Sequence, residues 1–196
     1  MMDKYMYLDK RVIKTKQLLK KALLSLLEQN NTNQITIKEI IKTAHVSRGT
    51  FYNNYGSKEE LIEELLDDIV LDLLRTLRQP YKTLNGLVFG DLTPLAVKLF
   101  EYIFEKSGIY TTIVNSDLLP TFREKLIEVF NNHTLQDIKI ISLKINQELY
   151  GSYVAYAVSG ILIEWVKSGY KYSSKYMAEQ LVEMMTVSKD QSIQQK

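Results

Sequence analysis

Between Thr36 and Lys58 the chain carries a run of side chains suited to contact phosphates and base edges: Thr36, Lys38, Ser47, Arg48, Gly49, Thr50, Tyr52, Asn53, Asn54 and Lys58. The Arg guanidinium has the fork geometry that meets guanine O6 and N7, while Ser, Thr and Tyr hydroxyls and Asn amides donate to phosphate oxygens. Gly49 leaves room for a close approach of the backbone. No Asp or Glu stands between Glu39 and Glu59, so nothing there repels a polyanion. Other chemistry is sparse. Cysteine is absent, which removes disulfides, thiolate catalysis and Cys-based zinc sites together. The two histidines, His45 and His133, lie far apart, and no G-x-S-x-G, P-loop, G-x-G-x-x-G or H-E-x-x-H pattern occurs. The expectation is a binding protein and not an enzyme, with no cofactor and no metal.

Helices must position these residues, because no window alternates apolar and polar residues at strand spacing. A first helix is expected from about Asp9 to Glu28, with Leu19, Ala22, Leu23, Leu26 and Leu27 inward and Lys10, Arg11, Lys14, Lys16, Lys20 and Lys21 making a basic surface. Thr36 with Glu39 forms a capping box for a short helix from Ile37 to Ala44. Ala44-His45-Val46 is a three-residue turn, and Ser47 caps a third helix that ends near Asn53. That is helix-turn-helix spacing. Phe51 anchors the third helix inward and leaves Ser47, Arg48, Thr50, Tyr52 and Asn53 facing out, where such a helix enters the major groove. Ser57 with Glu60 opens a long helix to about Arg78, whose inner stripe is Leu61, Leu65, Ile69, Leu73 and Leu77.

The stretch Thr36…Ala44-His45-Val46-Ser47-Arg48-Gly49-Thr50-Phe51-Tyr52-Asn53-Asn54-Tyr55-Gly56-Ser57-Lys58-Glu59-Glu60-Leu61 resembles the signature of the tetracycline-repressor (TetR) family, roughly A-G-V-S-x-x-T-(L/F)-Y-x-H-F-x-(S/N)-K-E-x-L. With the flanking helices the resemblance extends over residues 9–78. It implies a homodimeric, ligand-responsive transcription factor, usually a repressor, with activation as the alternative. It implies that Lys38 reaches a base, that Arg48 is the main base reader, and that Thr36, Ser47, Thr50, Tyr52, Asn54 and Lys58 cap helices or touch phosphates. Asn53 falls at a variable position facing the backbone. His45 stands where the family usually has Gly, Asn54 where it has His, and Tyr55 where it has Phe. His tolerates positive φ better than most residues, so the turn survives.

Beyond Pro80–Gly90, a connector, the pattern gives five more helices and about nine in all. Thr93-Pro94 starts one that ends near Ser107-Gly108, Ile109 to Asn115 forms a short one, and Asp117 caps one ending near Asn131. A long helix runs from about Leu143 to Lys167, and Ser173 or Ser174 caps the last, to about Val187. A polar, disordered tail is expected from Ser188. The segment Leu149 to Val166 is apolar on nearly all sides, so it needs a partner on each face. The family resemblance makes one of those partners a second copy, through residues 145–187. Phe100, Phe104, Tyr110, Phe122, Tyr153 and Tyr156 are candidates to line an apolar pocket for an unknown small-molecule effector, against the plainer reading that each packs a core.

Composition agrees with a globular all-α protein of 196 residues: 45% apolar, 24% charged. Net charge +2 hides an asymmetry, with 11 Lys and Arg against 6 Asp and Glu in residues 1–60, and 14 against 17 in the remainder. A basic end on an acidic body suits a polyanion-binding module. The expected division is a helix-turn-helix domain at 1–56, for a double-stranded DNA operator, and an effector-binding and dimerisation domain at 57–196. The N-terminus lacks the apolar core of a signal peptide and the apolar run from Leu149 to Ile163 stops short of a bilayer, so a cytoplasmic protein without membrane contact is expected. A helical adaptor that has lost DNA binding is the competing reading, and Arg48, Thr50, Tyr52 and Lys58 argue against it. Arg48→Ala should cost about 1–3 kcal/mol of DNA binding and relax base preference at the contacted position. Competition binding with single-base variants of the selected site checks this, and unchanged specificity would remove Arg48 from its role.

Overall fold

A computed structural model describes residues 10–78, 92–137 and 146–190. Those residues form nine α-helices and no strand: α1 (Lys10–Leu27), α2 (Ile37–Thr43), α3 (Arg48–Tyr52), α4 (Lys58–Arg78), α5 (Leu92–Glu105), α6 (Ser107–Val114), α7 (Leu119–Asp137), α8 (Gln147–Lys167) and α9 (Ser174–Asp190). The expected connector Pro80–Gly90 and the expected helix start at Leu143 lie outside the described residues.

The local sequence sets most boundaries. Thr36 caps α2 through a complete capping box: its hydroxyl accepts the Glu39 N–H, and the Glu39 carboxylate accepts the Thr36 N–H. The Thr36 N–H and the Thr36 hydroxyl both donate to the Glu39 carboxylate, and these two bonds hold its carboxyl below the ordinary carboxylate range. His45 then takes φ 53° and closes α2 as a Schellman turn, with Val46 N–H on the Ile41 carbonyl and His45 N–H on the Lys42 carbonyl. The same device ends α8. Gly169 and Tyr170 have φ 68° and 59°, and Tyr170 N–H returns to the Trp165 carbonyl. The Tyr170 ring packs edge-on against Trp165, the apolar contact that accompanies such turns.

Four boundaries differ from the sequence expectation. The fifth helix begins at Leu92, so Thr93 lies inside its first turn and is not its cap. Asp117 does not cap α7; its carboxylate instead accepts the N–H and the hydroxyl of Thr32, across the molecule. The seventh helix continues to Asp137, six residues past Asn131, and α9 reaches Asp190, through the start of the expected disordered tail. Ser57 receives the Glu60 N–H as expected, but the Glu60 carboxylate passes over it to the Gly56 N–H at 2.6 Å.

Helix α4 touches α1 on one side and α5 and α7 on the other. Its apolar face is therefore wider than the stripe read from the sequence: Leu66 and Val70 are as deeply buried as Leu61, Leu65 and Leu73. One continuous core runs from Leu19 and Leu23 of α1 through α4 to Phe100, Ile113, Phe122, Leu162, Trp165 and Leu181. Burial of this kind stabilises each large apolar side chain by about 1.5–3 kcal/mol. At the boundary of the core, ion pairs join the helices. Lys16 and Lys20 of α1 reach Glu64 at 2.6 and 2.7 Å, and Lys20 also reaches Asp68. Lys125 of α7 reaches Glu63 at 2.5 Å and Asp67 at 2.6 Å. Two of the six cations assigned to the basic surface of the first helix thus point inward.

Helix α8 packs against α7 and α6, and α9 against α5. Within one chain α8 is not buried all round. Leu149, Tyr153 and Tyr156 are 72, 54 and 64% exposed, and with exposed Gly160 they follow one face. At 21 residues this helix is long and apolar enough to cross a bilayer by length and composition, but half of its most apolar window is buried against the rest of the fold.

Partial burial opposes ionisation of Glu64, yet hydrogen bonds and charge from Lys16 and Lys20 outweigh it and lower its pKa. A lowered folded pKa gives stability that is present above the unfolded value, about 4.3, and is lost as pH falls through the folded one. Glu64→Gln should therefore lower stability at pH 7 by about 0.2–1 kcal/mol, the range of half-exposed pairs. The difference from the parent should close below pH 4, as urea unfolding at a series of pH values would register.

Candidate nucleic-acid interface

The site is built on α2, α3 and the N-terminus of α4. Helix α3 is only five residues long, so its own hydrogen bonds cannot hold it. Three other features do. The Ser47 hydroxyl accepts the Thr50 N–H at 3.0 Å and pairs with the Thr50 hydroxyl at 2.8 Å. Phe51, with no exposed surface, inserts beneath, against Tyr55. The Schellman turn at His45 fixes the angle between α2 and α3. Tyr55 is itself buried, and burial, with the nearby carboxylates of Glu64 and Asp68, pushes its hydroxyl far above the ordinary range. The Lys16 ammonium lies 4.9 Å from the centre of its ring.

What this leaves facing outward is a short, acid-free surface. Ser47, Arg48, Gly49, Tyr52 and Asn53 are exposed, and Thr50 is half-buried. The Arg48 guanidinium lies 5.6 Å from the centre of the Tyr52 ring, one helical turn on, an arrangement that limits the freedom of both long side chains. Thr36 and Lys38 are exposed on the adjoining helix, as is Lys42, which the sequence reading did not single out. Lys42 could have been found there from its position four residues after Lys38 on the same short helix. Lys38, Lys42 and Arg48 form no ion pair among the described residues. A Cβ added at Gly49 would meet only the Ser47 hydroxyl, at 3.9 Å, so the free chain does not require glycine there.

Two expected contacts have other employment in this structure. The Lys58 ammonium donates to the Thr32 carbonyl at 2.6 Å and to the Ile35 carbonyl at 2.9 Å, tying the start of α4 to the loop between α1 and α2. Two of its three donors are thus engaged inside the fold. The Asn54 amide donates to the Thr50 carbonyl at 2.8 Å, which turns it back on its own helix and away from the outer face. Thr32 also holds Asp117, so a single polar loop anchors the head to both α4 and the segment before α7.

The six aromatic candidates for an effector pocket do not surround one space. Phe100, Tyr110 and Phe122 are core side chains, with Phe100 packed edge-on to Trp165 and Tyr110 against Phe122. The void that Tyr110 and Phe122 share with Leu126, Leu162 and Val166 is about 10 Å³, too small for any organic ligand. Phe104, at 53% exposure, stacks with Trp165 and Tyr170 at the surface, and Tyr153 and Tyr156 lie on the open face of α8. Helical spacing showed which of these residues share a helix face but not which face meets solvent.

Two family descriptions match the chain: "Bacterial regulatory proteins, tetR family" over residues 19–65, and "Transcriptional regulator C-terminal region" over residues 90–187, half of the sequence. The chain belongs to the TetR family of helix-turn-helix transcriptional regulators. It is similar to the uncharacterized HTH-type transcriptional regulator YxbF of Bacillus subtilis (strain 168), 23% identical over 85% of this chain and 43% of that protein. It is also similar to DhaS of Lactococcus lactis subsp. lactis (strain IL1403), named an HTH-type dhaKLM operon transcriptional activator, 30% identical over 53% of this chain and 51% of that one. The chain thus spans about half the length of the curated relatives it matches. Among solved structures, a TetR transcriptional regulator from Streptococcus agalactiae 2603V shares the fold at TM-score 0.63, with 24% identity, over 90% of this chain and 96% of that one.

The space around Gly49 separates folding from binding. Gly49→Ala should hold or raise the melting temperature, since Ala stabilises a helix by about 0.5–1 kcal/mol over Gly. It should weaken DNA binding, because its methyl group projects from the outer face. Melting and fluorescence anisotropy on the same preparation read both effects, and binding equal to the parent would show that the backbone at Gly49 stays clear of DNA.

Proposed function

We propose that the chain acts as a homodimeric, effector-responsive regulator that binds a palindromic operator through residues 47–53, by binding alone and without catalysis. The observation that carries this reading is the outer face of α3: exposed, acid-free, and presenting Arg48 already aligned along Tyr52. Arg48 reads a base edge in the major groove. Ser47, Thr50, Tyr52 and Asn53, with Thr36, set the register on the phosphates, and Lys38 reaches a base from the neighbouring helix. The division falls at about residue 56, with α4 belonging by packing to both parts.

The second copy sits on α8 and α9. Leu149, Tyr153 and Tyr156 on one helix and Tyr176 and Met184 on the other are exposed apolar side chains that a second copy would cover. A two-fold axis there places two α3 helices on one side, each facing a half-site. An effector then biases the dimer between head spacings, which needs different affinities for the two states. Repression is the primary reading. Activation is the second, favoured by the printed name of the DhaS relative. The reading places the protein in the cytoplasm, where its operator is.

Selection of bound duplexes from a random library, run at two salt concentrations, is the test. Enrichment of a palindrome, with affinity falling steeply between the two salts, is the expected result. Binding without any enriched sequence would reduce the chain to a basic polyanion binder, and a monomer in sedimentation at micromolar concentration would remove the two-fold arrangement.

A further inference from the structure

Two short turns face each other between the head and the body, and each is fixed by its own hydrogen bonds. In the loop between α1 and α2, Asn31 N–H donates to the Gln34 side chain, Gln34 N–H returns to the Asn31 carbonyl, and Ile35 N–H donates to the Thr32 carbonyl. Ile35 is buried, and the next residue, Thr36, caps α2. Thr32 therefore moves with α2 and, through the Schellman turn, with α3. The turn between α6 and α7 is fixed to the body in the same way. The Ser116 N–H and hydroxyl both donate to the Ile113 carbonyl, and Leu118 N–H donates to the Ser116 hydroxyl. Val114 and Leu118 are buried on either side of it. Asp117 stands exposed on that turn.

Asp117 and Thr32 join the two turns through three contacts. The Thr32 N–H lies 3.1 Å from each carboxylate oxygen, and the Thr32 hydroxyl donates to Oδ2 at 2.6 Å. A single contact would fix a distance, whereas an N–H and an O–H on one carboxylate fix an angle as well. Hydrogen bonds to a carboxylate are also of the stronger kind. Beside this contact the packing is open. A cleft of about 480 Å³ lies between the end of α1, at Leu27 and Glu28, and α6, at Thr111 and Asn115. Side chains do not interlock across that space, so the polar contact sets there what packing sets elsewhere.

We propose that Asp117 is a positioning residue that determines which operator spacing the protein accepts, although it belongs to the body and not to α3. Its carboxylate sets the angle at which each head leaves the body. In a two-fold dimer that angle sets the distance between the two α3 helices. One base pair of spacer is about 3.4 Å along the duplex, so a small change of angle on each side shifts the accepted spacing. Without the carboxylate the head keeps its ties to α4 and gains a range of angles. Base preference within each half-site stays with Arg48, because α3 keeps its cap and its Phe51 anchor. This deepens the palindromic reading above and rests on it.

The test is selection with the full chain from duplexes that pair a random half-site with its inverted copy across spacers of varied length. The parent should enrich one half-site and one spacer. Asp117→Ala should lower the preference for that spacer over its neighbours by about fivefold, the worth of one net hydrogen bond, or move it to a neighbour. The enriched half-site should stay the same. Thr32→Val, which loses only the hydroxyl, should act in the same direction and more weakly, while Thr32→Ser, which keeps both donors, should match the parent. The double variant Asp117→Ala/Thr32→Val should do no more than Asp117→Ala, since the hydroxyl then has no carboxylate to meet. The Thr32 pair gives the reading independently if Asp117→Ala does not fold. Equal spacer profiles for parent, Asp117→Ala and Thr32→Val overturn the proposal and leave the palindromic reading in place. An equal loss at every spacer also overturns it, because that marks a general structural role. A parent that enriches a half-site without any preferred spacer, or no half-site at all, overturns the palindromic reading and this proposal with it.

Discussion

Helix α4 carries most of the contacts that join the head to the body, and its carboxylates need partners on opposite sides. Glu64 and Asp68 take the lysines of α1, Glu63 and Asp67 take Lys125 of α7, and Asp72 takes the hydroxyl of Tyr102. Beneath them the same helix buries Leu61, Leu65, Leu66, Val70 and Leu73. The apolar face gives the stability, because half-exposed ion pairs are individually weak. The charged edges give direction: they fix how far α4 can rotate before a carboxylate loses its lysine.

The head depends on that constraint. Helix α3 is a single hydrogen-bonded turn and a half, kept in place by a cap, a buried Phe51 and a left-handed His45. None of these fixes its orientation relative to the body. That is done by Lys58 on the Thr32 and Ile35 carbonyls, by Asp117 on Thr32, and by the α1–α4 pairs. The outer surface is thus free to carry groups that contribute little to folding, such as Arg48 and Gly49.

How legible was this in the sequence? Caps, turns and apolar stripes act over three or four residues, and there the reading succeeds: the box at Thr36 and Glu39, the cap at Ser47, the turn at His45, the inward Phe51. Long-range polar partners leave no local trace. Lys16 and Lys20 look like surface cations until α4 is placed against them, Lys58 looks like a phosphate contact until the Thr32 carbonyl is beside it, and Asp117 looks like a helix cap until Thr32 reaches it. The aromatic candidates meet the same limit. Phe100 and Phe104 share a helix face by spacing and both meet Trp165, more than sixty positions away, yet one is enclosed and the other half open.

The length of α4 has a mechanical consequence. At 1.5 Å per residue, its 21 residues make a rigid rod of roughly 30 Å. A tilt of about 5° at one end of a rod that long carries the other through roughly 2.7 Å, about the length of a hydrogen bond. A helix of that length turns a tilt too small to break any contact at the body into a displacement of about one hydrogen-bond length at the head.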